Sequence, residues 1–305
     1  MPFARRLTFD WQLRTRSLPL GRRTLIMGIL NVTPDSFSDG GHFYDAASAP
    51  ERAVAHALDL LDHGADLLDL GGESTRPDAA RLSPDEEQAR ILPVLQAILE
   101  ERSHAIVSVD TFHAATARRA VEAGAEIVND VSGGLWDRDM FPTLANLGCG
   151  AILMHTRGTP NEWRTQPALA ADEVIPLVLS GLENRLNAAT QAGIARDRIV
   201  LDPGLGFGKR LEENYPILAR LSELRRFERP VLIGASRKTF LANTIAHASS
   251  LAAIHEGAPP PVNARLNATT AANVAAVLAG AHILRVHEAQ PAAEAAAIAD
   301  RILQG

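Results

Sequence analysis

Four polar side chains of this sequence could together recognise the edge of a flat heterocycle. They stand at or just beyond the ends of short apolar runs, at Asp110, Asn129, Asp202 and Lys238. Carboxylates accept hydrogen bonds, a lysine ammonium donates them, and an asparagine amide does both. A carboxylate such as that of Asp202 can accept two parallel N–H bonds. The set is typical of a site for a guanidine-like pyrimidinone ring.

A second set of side chains would suit an anion and a metal ion. Its members also follow apolar runs, at Asn31, Thr75, Arg76, Arg285 and His287. The guanidinium fork of arginine matches the oxygens of a phosphate. The amide oxygen of Asn31 is a hard ligand for Mg²⁺, which usually keeps several waters and shares the phosphates of a substrate. We therefore expect an anion and Mg²⁺ beside the heterocycle.

The stretch 25–41 predicts how such side chains are presented. Residues 25–30 form a nearly continuous apolar run, which is typical of a buried strand. The run ends at Asn31, and Pro34 and two glycines follow, so the strand cannot simply continue. The segment that leads to Ala49 is longer than an ordinary strand-to-helix turn of about 2–6 residues. We interpret it as a functional loop.

Short apolar runs recur along the chain, and each is closed by a polar residue or a glycine. Helix-like segments rich in Ala, Leu and Glu separate the runs. Eight such alternations predict an α/β fold, a (β/α)₈ TIM barrel whose strands end at one mouth. The runs are 25–31, 66–72, 105–110, 126–130, 150–155, 198–204, 230–236 and 282–287.

The barrel is expected to form one domain over residues 25–305. Residues 1–24 alternate apolar and polar side chains and are rich in arginine. This alternation predicts a short N-terminal β-hairpin extension, with Leu7–Leu13 paired to Leu18–Leu20.

The composition argues against several classes of protein. The 305 residues carry 30 Lys and Arg against 36 Asp and Glu, a formal net charge of −6. Because no basic excess exists to hold phosphates, we expect no nucleic-acid partner. The one cysteine, Cys149, excludes an internal disulfide and a cysteine-based zinc site. We find no signal peptide and no apolar run of about 18 residues, so we expect a cytoplasmic protein that does not enter a membrane.

The glycine-rich segment Gly204–Lys209 resembles a nucleotide-binding P-loop, but its register is wrong. The spacing in GLGFGK is one residue short of G-x-x-x-x-G-K, and Arg210 stands where Ser or Thr is required. We interpret the glycines as allowing the backbone to approach a flat ligand, with Phe207 packed over it. Phe207 is equally consistent with an ordinary core residue.

Eight motifs in sequence resemble the dihydropteroate synthase family. The resemblance covers about residues 25–304 and includes every predicted strand end in the right order. The motifs are MGILNVTPDSFSDGG (27–41), DLGGESTRPDA (69–79), SVDT (108–111), VND (128–130), LMHTRGTP (153–160), LDPGLGFGK (201–209), GASRK (234–238) and RVHE (285–288).

This resemblance implies a reaction of folate biosynthesis. 6-Hydroxymethyl-7,8-dihydropterin pyrophosphate would lose pyrophosphate by a dissociative displacement, and the amine of p-aminobenzoate would take its place to give 7,8-dihydropteroate. The enzyme would use Mg²⁺, bind sulfonamides in competition with p-aminobenzoate, and form a homodimer.

The resemblance also implies a role for each site residue. The pterin would be held by Asp110, Asn129, Asp202 and Lys238, with Met154 and Phe207 against its faces. The pyrophosphate would be held by Asn31, Thr75, Arg285 and His287, with the metal on Asn31. The p-aminobenzoate pocket would be formed by Phe37, Arg76, Pro77 and Ser236. The catalytic residues would be Asp110, Lys238, Arg285 and His287, and the loops 31–44 and 74–83 would close over the site.

Two other functions fit part of this pattern. A pterin-binding methyltransferase that acts on methyltetrahydrofolate would share Asp110, Asn129 and Asp202, but it has no need of the anion-binding residues at 236–238 and 285–287. A non-catalytic pterin-binding paralogue is expected to have lost residues at the mouth, and no such loss is seen. Pyrophosphate release on mixing the two substrates separates the three functions.

We expect sulfonamides to inhibit turnover in competition with p-aminobenzoate. The segment 201–209 carries no insertion, and an alteration there is what we would expect in sulfonamide-insensitive relatives. Initial rates measured over a grid of p-aminobenzoate and sulfonamide concentrations check this. Turnover that is unchanged at high sulfonamide concentration would contradict it.

Overall fold

Eight parallel strands and an antiparallel hairpin make up the β-structure of the residues that the structure describes. They are seen in a computed structural model that describes residues 5–33, 49–74, 81–248 and 258–304. The hairpin strands are β1 (Phe9–Gln12) and β2 (Ser17–Leu20). The parallel strands are β3 (Leu25–Asn31), β4 (Leu67–Gly71), β5 (Val107–Asp110), β6 (Ile127–Asp130), β7 (Gly150–Met154), β8 (Ile199–Asp202), β9 (Leu232–Ile233) and β10 (Ile283–Val286).

The parallel sheet closes on itself. Its strand order is β8-β7-β6-β5-β4-β3-β10-β9. The two end strands, β8 and β9, are joined by a parallel bridge between Leu201 and Val231. This closure confirms the predicted (β/α)₈ barrel with an N-terminal β-hairpin. The carboxyl ends of all eight strands consequently face one mouth.

Helices connect the strands. The helix Pro84–Glu101 begins with a capping box: the Glu86 N–H donates to Ser83 Oγ at 3.3 Å, and the Ser83 N–H donates to Glu86 Oε2 at 2.8 Å. The α-helices are α1 (Ala49–Asp62), α2 (Pro84–Glu101), α3 (Ala114–Glu122), α4 (Met140–Leu147), α5 (Ala171–Gln191), α6 (Tyr215–Ala219), α7 (Thr239–His247), α8 (Leu266–Leu278) and α9 (Ala289–Gln304).

The hairpin closes the amino-terminal end of the barrel. Trp11 is fully buried, and its indole N–H donates to the carbonyl of Arg198 at 2.7 Å. Trp11 packs in one apolar cluster with side chains from the barrel strands, which we call the floor. The floor consists of Trp11, Leu13, Leu20, Leu25, Met27, Leu67, Ile127, Ile152, Val200, Leu232 and Ile283.

A polar layer lies directly above the floor. Side chains alternate along a strand, so the residue two positions after a floor residue also faces the lumen, one step nearer the mouth. In four strands that residue is charged or an amide. These residues are Asp69 in β4, Asn129 in β6, Asp202 in β8 and Arg285 in β10.

Two further features of the described part of the chain concern membrane spans and cavities. Within it, no helix combines the length and the apolar character needed to cross a membrane. A cavity of about 550 Å³ opens near the amino-terminal ends of β9 and β10, where Arg225, Leu278 and His282 line it. None of the predicted site residues that the structure describes lines that cavity, so it is separate from the part of the mouth that those residues form.

We expect Trp11→Ala to lower the free energy of unfolding by about 3–5 kcal/mol, because it opens a void under the barrel. Gln12→Ala, next to it on β1 and only half-buried, is the matched control and should change stability by about 0.5 kcal/mol or less. Urea unfolding followed by circular dichroism measures both. Equal losses for the two variants would show that Trp11 does not support the floor.

Candidate active site

The side chains predicted to bind the edge of a heterocycle lie together at the mouth of the barrel. Asp110 and Asn129 are partners in the register of β5 and β6, and Met154 and Asp202 are partners in that of β7 and β8. Asn129, Met154 and Asp202 are all buried. The closed sheet therefore brings side chains that are far apart in sequence into one lumen.

Arg285 reaches into the same lumen and joins the two predicted sets. Its Nε donates to Asp69 Oδ2 at 2.5 Å, and its Nη2 donates to Asp110 Oδ2 at 2.7 Å. The Asn129 amide also donates to Asp69 Oδ2, at 2.9 Å. The set predicted to bind the anion (the anion half of the site) and the set predicted to bind the heterocycle (the heterocycle or pterin half) are therefore joined by direct hydrogen bonds.

The charges in the lumen shift one another's protonation. Burial raises the pKa of Asp110 to about 7; the Arg285 guanidinium opposes this rise and the Asp69 carboxylate adds to it. Burial lowers the pKa of Arg285, but Asp69, Asp110 and Asp202 outweigh it and raise that pKa above the ordinary arginine value. Burial likewise raises the pKa of Asp202, against the opposing charge of Lys238. Arg285 therefore stays a cation, while the Asp110 carboxyl, with a pKa of about 7, is near the midpoint of its titration at neutral pH.

Lys238 faces the glycine-rich segment across the mouth. Its ammonium lies 4.4 Å from the centre of the Phe207 ring and donates to the carbonyl of Leu205. Burial lowers the pKa of Lys238 to about 8, although Asp202 partly opposes this. A cation over an aromatic face is a favourable arrangement.

Lys209 fixes the glycine-rich segment from inside. Its buried ammonium donates to three carbonyls, those of Gly204 at 2.7 Å, His155 at 3.1 Å and Phe207 at 3.3 Å. Gly204 has φ +69°, and a Cβ there would lie 2.0 Å from the carbonyl oxygen of His155. The backbone of this segment therefore packs too tightly against the adjacent strand end for any side chain at Gly204.

An apolar patch lies beside the polar layer. Met154 packs in one cluster with Phe112 and Val131, and Phe207 lies against it. Phe207 also meets Trp163 edge-on, with ring centres 5.0 Å apart. The patch could cover the faces of a flat ring whose edge is held by polar groups. Phe207 is thus both packed and adjacent to the mouth, so the two interpretations of it are compatible.

Ser236 and His287 lie together at the ends of neighbouring strands. Ser236 Oγ is 2.9 Å from His287 Nδ1, and it accepts a hydrogen bond from the His287 N–H at 3.3 Å. The next residue, Arg237, has φ +60°, a conformation that costs a non-glycine residue energy. Its N–H donates to Thr269 Oγ1 at 3.1 Å and its guanidinium pairs with Glu288. These contacts hold the strained turn between Ser236 and Lys238.

Comparison with known proteins identifies the family. A family profile described as pterin binding enzyme matches residues 27–287. A dihydropteroate synthase of Clostridium beijerinckii is 37% identical over 294 residues, which are 96% of this chain and 99% of that protein. The structure of Yersinia pestis dihydropteroate synthase in complex with a sulfonamide drug has a TM-score of 0.83 and 36% identity, and the match covers 98% of this chain and 100% of that one. The chain belongs to the dihydropteroate synthase family.

Some members of the family are longer proteins. The mitochondrial folate synthesis bifunctional protein of Pisum sativum is 39% identical over 315 residues, which are 100% of this chain but 56% of that protein. The chain therefore spans about half the length of such bifunctional relatives.

Asn31 is the one predicted metal ligand. It is half-buried at the end of β3, and a Cβ at Gly71 would lie 3.6 Å from Asn31 Oδ1 and 3.5 Å from Asp110 Cβ. Within the described residues, no cluster of three His, Cys, Asp or Glu could hold a metal. A single amide oxygen fits Mg²⁺, which completes its shell with substrate phosphate and water, better than a tightly caged metal.

The other predicted residues of this site lie outside the described residues. They are Phe37, Thr75, Arg76 and Pro77, together with most of the loops 31–44 and 74–83. Their roles in this family member stay predictions of the sequence.

Asp69 and Lys209 were not predicted as functional residues. Asp69 lies inside β4 rather than at its end. The sequence feature that could have identified it is a carboxylate within an otherwise apolar run. A charge is rarely buried in such a run unless it is paired. The signal for Lys209 was compositional: Lys209 and Lys238 are the only lysines in the sequence. Both of them lie at the mouth.

We expect an amine-specific reagent to label Lys238 at a rate that rises through about pH 8, because burial lowers its pKa to about 8. Peptide mass spectrometry after brief labelling across a pH series measures this. Lys209 is the internal control and should stay unlabelled in the folded protein, because its ammonium is buried among three carbonyls. A midpoint near the ordinary lysine value of 10.5 would contradict the prediction.

Proposed function

We propose that this chain catalyses the dihydropteroate synthase reaction. It would join the amine of p-aminobenzoate to the methylene group of 6-hydroxymethyl-7,8-dihydropterin pyrophosphate, with release of pyrophosphate. The observation that carries the proposal is the hydrogen-bonded chain from Asn129 through Asp69 and Arg285 to Asp110. It places groups suited to a pterin edge and a guanidinium suited to a phosphate in one lumen.

The pterin would occupy the polar layer with its ring flat against the apolar patch. Its amino and ring N–H groups suit the carboxylates of Asp110 and Asp202, and its carbonyl and bare ring nitrogens suit the donors of Asn129 and Lys238. Met154 and Phe207 would then cover its faces. Because a site built to pair every edge group rejects rings that lack them, this arrangement would select a pterin over a plain aromatic ring.

The pyrophosphate would lie beside Arg285 and His287. The hydrogen bonds to Asp69 and Asp110 use Arg285 Nε and Nη2, and neither of them uses Nη1. Asn31, with Thr75 from the segment outside the described residues, would complete the anion site and hold Mg²⁺. Bound there, Mg²⁺ would supply further charge stabilisation for the leaving group.

The chemistry would be a dissociative displacement. The bond between the pterin methylene carbon and the pyrophosphate oxygen breaks, and its electron pair leaves with the pyrophosphate. The amine nitrogen of p-aminobenzoate bonds to that carbon and loses one proton to solvent. An arylamine is neutral at pH 7, so no strong base is needed. Arg285 would stabilise the departing negative charge, and the ionised Asp110 would stabilise the positive charge on the dihydropterin.

The p-aminobenzoate would enter next to the leaving group. Of its predicted pocket, Ser236 lies within the described residues, beside His287. The Yersinia pestis relative is solved with a sulfonamide drug, and sulfonamides mimic p-aminobenzoate, which supports a pocket of this kind here. A homodimer and a cytoplasmic location stay predictions of the sequence.

A coupled pyrophosphate-release assay tests the function. We expect release only when both substrates are present, and less of it when Mg²⁺ is chelated. With saturating pterin pyrophosphate, Arg285→Ala should lower kcat by about 10²–10³, because a preorganised charge at the leaving group is lost. Arg226→Ala, at an exposed arginine, is the matched control and should not change kcat.

Two outcomes would contradict these assignments. A wild-type protein that releases no pyrophosphate from the complete mixture would refute the proposed reaction. An Arg285→Ala variant with unchanged kcat would refute the role of Arg285 alone, since the reaction itself would then have been observed.

A further inference from the structure

We propose that Asp69 is a positioning residue, which holds Arg285 and Asn129 in the orientation that the two halves of the substrate require. Nothing in the chemistry assigned above uses Asp69 directly. The inference rests on the proposed function and adds to it a residue that acts through its neighbours.

One oxygen of Asp69 serves both halves of the site. Asp69 Oδ2 accepts the Arg285 Nε–H at 2.5 Å and the Asn129 amide N–H at 2.9 Å. Arg285 belongs to the anion half, and Asn129 belongs to the pterin half. Because Asp69 lies in the middle of β4 and is fully buried, its carboxylate is a fixed point between them.

The guanidinium of Arg285 is held by two carboxylates from neighbouring strands. Asp69 binds Nε and Asp110 binds Nη2. Hydrogen bonds at two of its three nitrogens fix the position and the plane of this rigid group. Arginine otherwise has many rotamers, so a hold of this kind removes reorganisation at the moment when charge develops on the leaving group.

Stability alone does not account for a carboxylate at this position. Asp69 Oδ1 is buried and has no hydrogen-bond partner among the described residues. A buried carboxylate oxygen without a hydrogen-bond donor is costly. Ionic groups buried in this way are often replaced by apolar residues with no loss of stability. The hydrogen bonds that Oδ2 accepts from Arg285 and Asn129 explain why a carboxylate with one unpartnered oxygen occupies this position.

A double-mutant cycle tests the proposal in the pyrophosphate-release assay. Asp69→Asn keeps the shape of the side chain and removes its charge. We expect it to lower kcat at saturating pterin pyrophosphate by about tenfold to a hundredfold, as for other residues that orient a binding group. In the Arg285→Ala background, the same change should lower kcat by less than about threefold, because Asp69 acts on the leaving group through Arg285.

The Michaelis constants give a second readout. In both backgrounds, Asp69→Asn should raise KM for the pterin substrate, since the charged acceptor of the Asn129 amide becomes a weaker, neutral one. KM for p-aminobenzoate should stay within about twofold, because no contact links Asp69 to Ser236 within the described residues. A merely structural role would not separate the two substrates.

Asp130→Asn is the matched control. Asp130 is also a fully buried carboxylate at the mouth end of a strand, but its partners are Ser132, at 2.7 and 2.8 Å, and the Gly134 N–H, at 2.6 Å. We expect its loss to lower thermal stability and to affect kcat by similar factors with and without Arg285. Equal losses of kcat from Asp69→Asn in the two backgrounds, or no loss in either, would overturn the proposal.

The outcomes also separate this proposal from the proposed function. The wild-type rate, measured in the same assay, tests the reaction, and the rates of the variants test the role of Asp69.

Should Asp69→Asn fail to fold, the wild-type protein supplies a second test. The Arg285 Nε–H proton, assigned in NMR spectra by its loss in Arg285→Ala, should exchange with solvent far more slowly than that of the exposed Arg226. Equally fast exchange would overturn the proposal.

Discussion

The site depends on a partly buried cation held between carboxylates in the lumen of a closed sheet. Arg285, on β10, pairs with Asp69, on β4, and with Asp110, on β5. Such charges are costly to remove from water, and good pair geometry repays part of that cost. The repayment is incomplete here, because Asp69 Oδ1 has no hydrogen-bond partner among the described residues. The strand order supplies the geometry of the pairs, because β4 and β5 are neighbours and β3 alone separates β4 from β10. The site therefore depends on strands that are far apart in the sequence.

The apolar floor makes this polar layer possible. Trp11 and the inward side chains of the barrel strands seal the amino-terminal end of the lumen. Without that seal, water would enter from below and weaken each ion pair through a higher effective dielectric. The seal also leaves the mouth as the open side of the polar layer, so a substrate enters where the charged groups already converge. The hairpin, which contributes no chemistry, thus sustains the electrostatics of the site.

The sequence was informative wherever a local pattern determines the structure. The apolar runs that end in polar residues predicted the barrel, and Asp110, Asn129, Asp202 and Arg285 do meet in one lumen. Asp69 was not predicted because it does not stand at a strand end. The pleat of a strand also places the residue two positions beyond a floor residue inside the lumen, and Asp69 occupies such a position. Lys209 was missed because its role depends on three carbonyls that only the tertiary fold brings together. Local periodicity carries no information on such contacts.

The groups that hold the site together are also those that the reaction would use. In the free protein, Arg285 lowers the pKa of Asp110 against the effect of burial, which raises it to about 7. A pyrophosphate would lie beside Arg285 while Asp69 and Asp110 keep their hydrogen bonds to Nε and Nη2. The pair with Arg285 favours the ionised form of Asp110, which would stabilise the dihydropterin when positive charge develops on its methylene group. Because the two carboxylates fix the guanidinium, it would meet the leaving group without turning, so that stabilisation of the leaving group and of the pterin cation would both depend on this one side chain.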